Sequence, residues 1–488
     1  MTERGSSQQI NTYKVTRFRD NGKNMQKTAL LLSWLVGLSV LNGSCTHAPV
    51  HPNPKFPEVT LEGRFEVIPL VGEFQVKRAK LPNGLRLLVI EDRSSPTFAY
   101  QTWFNVGSRN EVPGKTGLAH LFEHMMFKGT KNHKDGEFDA LLEKAGAEGE
   151  NAFTSNDHTV YLQEMPKEGF QLITELEADR MVNLIVDDKA FKTEREVVQN
   201  ERRFRKENSP EGTMYQTLFE TAFGSHPYHW PVIGYEEDLS SMSAQDARDF
   251  YTRFYSPDRA TIVIAGDIDA DDALKRIEKM YGALPPRNTS DLPASAEPEQ
   301  SAQRRVKLPL NVEVEKLWMA FKIPGVDSPD LPVLEAIQGL LTDGNNSRLQ
   351  RALVDSGIAA SVDSGNIPLR EPGLFLFDLN LQKGKSLLLA ESVLQREIER
   401  LKSSPVRAEE LQRSSNVIRY RFLQKLSTAM GRAHFVGNAE TEHGGVEKAL
   451  DYQKKILEAT PERIQEVARK YFNTARMTVV VAVPKSKS

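Results

Sequence analysis

Cysteine is almost absent. Of 488 residues only Cys45 carries a thiol, so no disulfide can form within the chain and stability must come from core size. Long apolar runs are missing as well. The one conspicuous run, Ala29 to Leu41, has 13 residues, short of the ~20 that a membrane-spanning helix needs. Nor is there an excess of either charge: 63 Lys+Arg face 66 Asp+Glu, for a net charge of −3. With no basic stripe, nothing points to nucleic acid as a partner. A chain of this length exceeds one ordinary core and predicts two domains of about 200 residues.

What is present begins at the N-terminus. Met25-Gln26-Lys27 precedes the apolar run, and Asn42-Gly43-Ser44-Cys45 follows it. A basic segment, an apolar segment and small residues, in that order, mark a secretory signal. The arrangement resembles a bacterial lipoprotein signal. That implies acylation of Cys45, contact with the membrane only through an N-terminal lipid anchor, and the periplasm of a Gram-negative-type bacterium, at its outer membrane. Asn42 departs from the pattern, since the usual Leu stands one place earlier as Leu41. Ordinary cleavage nearby and an uncleaved anchor are the alternatives, and the start is either Met1 or Met25. Residues 1–45 are read as the signal segment and 46–73 as a tether, Pro-rich from His47 to Pro57.

The densest chemical signal is His120-Leu121-Phe122-Glu123-His124. It is H-x-x-E-H, the reverse order of a known zinc-protease signature. On a helix, residues four apart share a face, so both imidazoles can aim at one metal ion while Glu123 reaches a water on it. Two buried or surface histidines without a metal remain the plain alternative. Leu118, Leu121, Phe122, Met125 and Met126 give that helix a broad apolar face, and burying two His and a Glu there is costly unless a cation compensates them. A third protein ligand is needed. Thr193 and Glu196 have the form of a capping box, which predicts a helix from Thr193 to Lys206. On it Glu194 and Glu201 lie two turns apart on one face. Glu201 is the better candidate ligand, with Glu194 orienting a ligand from behind. A solvated, ion-paired face is the alternative for this helix.

Taken together these segments resemble the pitrilysin/insulinase metallopeptidases. Seventy-six residues separate His124 from Glu201, as in that family. Gly149 to Ser155, with Thr159 and Tyr161, resembles its substrate-binding edge strand. His226 to Gly234 resembles its loop after the third-ligand helix, and Pro82-Asn83-Gly84-Leu85 its opening hairpin. The resemblance covers residues 74–484 and is more specific in the first half. It implies an α+β fold of two duplicated domains, each a mostly antiparallel sheet packed with helices, forming half of a clam-shell. It also implies one Zn²⁺ per chain on His120, His124 and Glu201, with Glu123 as general base and Glu194 assisting. Asn151, Ala152, Phe153 and Thr154 would bind extended or unfolded peptide substrates. For Tyr228 and Trp230, packing under the loop is the favoured reading.

The implied boundaries are 74–286 for the zinc-binding domain, 287–303 for a polar linker and 304–484 for a domain without the metal motif. A repeat supports duplication: Ser243 to Ala265 and Thr460 to Ala482 both read as a capped helix, an aromatic pair and a β-branched strand. Active single-chain relatives carry Arg and Tyr after a Ser-Arg-Leu in the second half. Here the aligned positions are Val354 and Ala360, which implies a homologous partner subunit that supplies those donors. Arg348 or Arg351 filling the role is the alternative. A non-catalytic assembly subunit is the competing functional class.

Overall fold

The computed structural model describes residues 60–291 and 295–485. The signal segment, Cys45 and the first half of the tether, 46–59, lie outside the described residues. The second half, 60–73, is not a tether but carries the first two strands of the first sheet, Thr60–Glu62 and Phe65–Pro69, where alternating apolar residues such as Phe65 and Val67 are buried. Among the described residues no helix is long and apolar enough to cross a membrane.

The first half contains β1 (Thr60–Glu62), β2 (Phe65–Pro69), β3 (Gln75–Lys80), β4 (Arg86–Glu91), β5 (Thr97–Phe104), α1 (Leu118–Met125), α2 (Glu137–Lys144), β6 (Glu148–Thr154) and β7 (Thr159–Pro166). It continues through α3 (Phe170–Asn183), α4 (Asp188–Arg202), α5 (Pro210–Ala222), α6 (Glu236–Ser241), α7 (Ala244–Phe254), β8 (Ala260–Gly266) and α8 (Ala270–Tyr281). The second half contains β9 (Arg304–Leu310), β10 (Lys316–Ile323), α9 (Leu331–Thr342), β11 (Ala359–Ile367), β12 (Gly373–Leu381) and α10 (Leu387–Ser403). It ends with α11 (Ala408–Lys425), α12 (Ala429–Thr441), α13 (Val446–Leu457), α14 (Pro461–Tyr471) and β13 (Met477–Pro484).

Two sheets result, ordered β1-β2-β3-β4-β8-β5-β7-β6 and β11-β12-β10-β13-β9. Read from β9, the second repeats the last five strands of the first. In each, a late strand enters between a parallel neighbour and an antiparallel one: β8 between β4 and β5, β13 between β9 and β10. The helices that lead into them are capped alike, by the Ser243 hydroxyl on the Asp246 N–H and by the Thr460 hydroxyl on the Arg463 N–H. The fold is therefore α+β and duplicated, each sheet carrying its helices. Residues 287–303 hold no helix or strand where described. They are nevertheless tied down, because Glu297 accepts the backbone N–H groups of Gly224, Ser225 and His226 and pairs with Lys322 at 2.7 Å.

The start of α4 corrects the capping-box expectation. The helix begins at Asp188, and the Asp187 carboxylate accepts the Ala190 N–H at 2.7 Å. Thr193 lies inside it, its hydroxyl bonded back to the Lys189 carbonyl at 3.1 Å. The helix extends this early because Asp187 is a competent cap and Phe191, one turn in, is buried in the first core. After Arg202 the helix widens into a π turn, Arg203–Glu207.

Candidate metal centre

α1 enters the core through Gly117, at φ +90, and a Cβ there would sit 2.6 Å from the Ile233 carbonyl. That close approach packs the loop ending at Gly234 against the start of α1. The Glu111 carboxylate accepts the N–H groups of Gly117 and Ala119 at 3.0 and 2.7 Å, which satisfies the open N-terminus of the helix. Its apolar residues then bury His120 and Glu123 along with themselves.

His120 and His124 face the same way, with ring centroids 4.9 Å apart. Ligand atoms of His120, Glu123 and His124 all lie within 4.8 Å of one another. From α4, Glu201 Oε2 comes to 3.3 Å from His124 Nε2, and its Oε1 to 3.9 Å from His120 Nε2. Bonds of 2.0–2.1 Å in a tetrahedral site imply a separation of about 3.3 Å between ligand atoms; the His124–Glu201 pair stands at that separation, and the His120–Glu201 pair is wider at 3.9 Å. Glu194, two turns earlier, lies 3.6 Å from His124 Nδ1 and is itself held by Lys128 Nζ at 2.8 Å. The Thr154 hydroxyl donates to Glu123 Oε2 at 2.6 Å. Arg205 Nε lies 2.8 Å from Glu201 Oε1, yet that oxygen has no hydrogen-bond partner. The contact is one of charge, not of an aligned N–H.

The electrostatics separate the groups. Burial pushes His120 down to about 3, helped by the His124 charge. Burial also opposes charge on His124, but the Glu194 and Glu201 carboxylates outweigh it and raise the ring to about 9. For Glu201 burial is again outweighed, by His124, His120 and Arg205, and its carboxyl falls to about 2. Burial dominates at Glu123, which rises to about 7 against the pull of His124 and Thr154. The pocket thus offers one firmly anionic carboxylate, two imidazoles and one carboxyl that changes charge near neutrality. The donors suit a divalent ion that binds nitrogen and oxygen.

The structure brings His120, Glu123, His124, Glu194, Glu201 and Thr154 together. β6 is the edge of its sheet. Ala152 and Thr154 are buried on the α1 side, whereas the Phe153 ring lies on the opposite face, 6.1 Å from Trp103. Asn151 Oδ1 accepts the Ala152 N–H at 2.9 Å. Tyr228 donates to buried Asp157 at 2.9 Å, and Trp230 to the Ser108 carbonyl at 3.0 Å, so both pack beneath the loop. Arg348 is engaged with Glu410 at 2.6 Å and Arg351 with Asn346 at 3.0 Å. Val354 is half-buried, and Ala360 is exposed at an irregularity of β11. Sequence reading missed Lys128 and Arg205, although each sits four residues after a site residue, His124 and Glu201, the spacing that makes helical neighbours.

Comparison with known proteins identifies the family of the chain. The model described as Insulinase (Peptidase family M16) matches residues 86–235, and that described as Peptidase M16 inactive domain matches 241–417. Zinc protease PqqE of Helicobacter pylori is 31% identical over 413 residues, 83% of this chain and 92% of that protein. A crystal structure of a Helicobacter pylori protease superposes with a TM-score of 0.79 at 30% identity, over 84% of this chain and 99% of the other. The mitochondrial cytochrome b-c1 complex subunit 1 of Rattus norvegicus is 26% identical over 412 residues, 80% of this chain and 83% of that protein. With its H-x-x-E-H helix, its distant glutamate and its duplicated sheets, the chain belongs to the insulinase family, peptidase family M16.

Proposed function

We propose that the chain is a zinc-dependent endopeptidase acting on extended or unfolded peptides. The observation that carries this is the convergence of Glu201 on both imidazoles, 3.3 Å from one and 3.9 Å from the other, beside Glu123. His120, His124 and Glu201 would hold one Zn²⁺. The ion would supply a Lewis acid for the scissile carbonyl and the attacking water. Glu201 suits the ligand role because it stays anionic, and Glu123 the proton-carrying role because its carboxyl titrates near 7. Glu123 removes the proton from water through Oε1, the oxygen that Thr154 does not hold, and passes it to the leaving amine. Glu194 fixes the His124 ring through Nδ1, and Lys128 fixes Glu194. The free edge of β6 aligns substrate by strand addition along Asn151, Ala152, Phe153 and Thr154. Phe153 contributes backbone there, since its ring faces away.

The same reading takes 74–286, extended back to residue 60 by β1 and β2, and 304–484 as the duplicated domains, joined by 287–303. It takes a homologous partner subunit as the source of the donors that Val354 and Ala360 lack. It places the protein in the periplasm, lipid-anchored at Cys45. A second reading, a non-catalytic subunit of a peptidase-like assembly, is favoured by the similarity to a cytochrome b-c1 complex subunit. One experiment separates them: purification from the native host with sizing, zinc analysis and a peptide-cleavage assay, alongside Glu123→Gln. The expected result is one zinc per chain in both forms, a membrane-associated complex with a second related chain, and hydrolysis reduced at least 10²-fold by the substitution. Hydrolysis undiminished in zinc-loaded Glu123→Gln would remove the proposed base. Absence of zinc and of hydrolysis from the native complex would favour the second reading, and a lone soluble chain would refute partner and anchor.

A further inference from the structure

Of the three carboxylates around the pair of histidines, Glu123 has the Thr154 hydroxyl and Glu194 has Lys128. Glu201 has Arg205. We infer that Arg205 is a positioning residue that keeps Glu201 Oε1 for itself, so that Glu201 offers the metal Oε2 alone. The inference rests on the zinc-site reading above and adds to it the way in which Glu201 binds.

Oε2 stands 3.3 Å from His124 Nε2, the spacing of two tetrahedral ligands; Oε1, the oxygen that approaches His120 at 3.9 Å, carries the Arg205 charge contact at 2.8 Å. A carboxylate free on both oxygens can swing and chelate through both. Two-oxygen chelation would take up the coordination position that catalysis needs open. A guanidinium placed against one oxygen removes that option. The local backbone brings the cation there. Arg205 lies inside the π turn Arg203–Glu207, which closes with the Asn208 N–H on the Arg203 carbonyl at 3.2 Å. Such turns recur at functional sites because they re-aim side chains within a helix. Phe204, beside it, is 73% exposed, so no packing of that side chain accounts for the turn. Arg205 is 29% exposed, and among the described residues Glu201 is its ion-pair partner. Arg203, in the same turn, is 48% exposed and reaches Glu236 at 3.9 Å, which makes it a matched control.

The test is zinc affinity of the full chain, by competition with a chromophoric chelator, for the parent, Arg205→Ala, Arg205→Lys and Arg203→Ala. Removing a group that orients a ligand weakens metal binding about 10–100-fold. Arg205→Ala should fall in that range, Arg205→Lys should recover part of the loss, and Arg203→Ala should match the parent. Cobalt(II) substitution supplies the second readout. The parent should give the intense visible bands of four-coordinate cobalt, and Arg205→Ala the weaker bands of five-coordination as Glu201 gains its second bond. Parent-like affinity and spectrum in Arg205→Ala would overturn the inference, as would tighter binding, which would mean that the cation only repels the metal. Failure of the parent itself to bind zinc would instead sink the reading of the site. Unfolding of the metal-free variants by circular dichroism identifies any that misfold, and in that event Arg205→Lys against Arg203→Ala decides.

Discussion

Glu123 and Glu201 are the same side chain in two settings, and the difference is the chemistry of the site. Glu201 faces both imidazoles and Arg205 and is held at about 2, whereas Glu123 is buried with one hydroxyl donor and stands at about 7. Thr154 stabilises the charged form of Glu123, which lowers its carboxyl. Thr154→Val keeps the shape and removes the donor. The deprotonated carboxylate is the base, so activity rises with pH as Glu123 ionises, and losing the donor moves that rise to higher pH. A hydrogen bond to a charged group is worth about 1.5 kcal/mol or more, which corresponds to a displacement of about one pH unit. The check is the pH profile of kcat/KM at unchanged zinc content, and coincident profiles would reject the role of Thr154. His120, Glu123 and His124 are legible in the sequence because helical spacing fixes their common face. Lys128 and Arg205 have equally regular spacing, but a Lys or Arg on a helix reads as a solvated charge until the carboxylate it meets is known.

At the scale of elements, α4 shows how a local pattern misleads. Thr193 and Glu196 match a capping box, yet Asp187 caps the helix six residues earlier and Thr193 bonds within it. The pattern is short enough to occur inside a helix, and burial of Phe191 decides where the helix begins. A stronger constraint, invisible in sequence, lies on α12. A Cβ on Gly437 would come within 2.2 Å of the indole of Trp103 on β5. That indole cannot yield easily: it is fully buried, bonded to Gln101 at 2.9 Å, and flanked by Phe153 and His434. Gly437→Ala would gain up to about 1 kcal/mol of helix propensity and lose about 1–3 kcal/mol to overpacking. The expected outcome is a net destabilisation of about 1–2 kcal/mol in urea unfolding. A neutral or more stable variant would mean that α12 lifts from the sheet without cost.

That contact is one part of an exchange spanning the whole molecule. On β10, Leu317, Met319 and Phe321 enter the core of the second half, while Trp318 and Ala320 face α5 of the first half through Met214, Leu218 and Phe219. On β8, Ile262 and Ile264 enter the first core, while Val263 and Ala265 meet Ala433, Val436 and Ala439 of α12, from the second half. Each half therefore covers the outer face of the other's sheet. The unbroken apolar runs at β8 and β13 signal strands buried on both sides, and the paired helix–strand units make the duplication legible. Which helix covers which sheet is not legible, because an amphipathic pattern records that a face is buried and not what buries it. The exchange has a consequence for folding. Residues 60–303 alone would expose the apolar face of α5 and the outer face of the first sheet, and residues 304–485 alone would expose α12 and the outer face of the second. Exposed apolar areas of that kind promote association, and neither half keeps the packing that specifies a unique state. Expressed singly, each should aggregate or lack a near-ultraviolet circular dichroism signal. Expressed together they should assemble, and the intact chain should lose the signals of both halves in one urea transition. A half that unfolds cooperatively on its own, with a native near-ultraviolet spectrum, would show that the exchanged helices only decorate two independent domains.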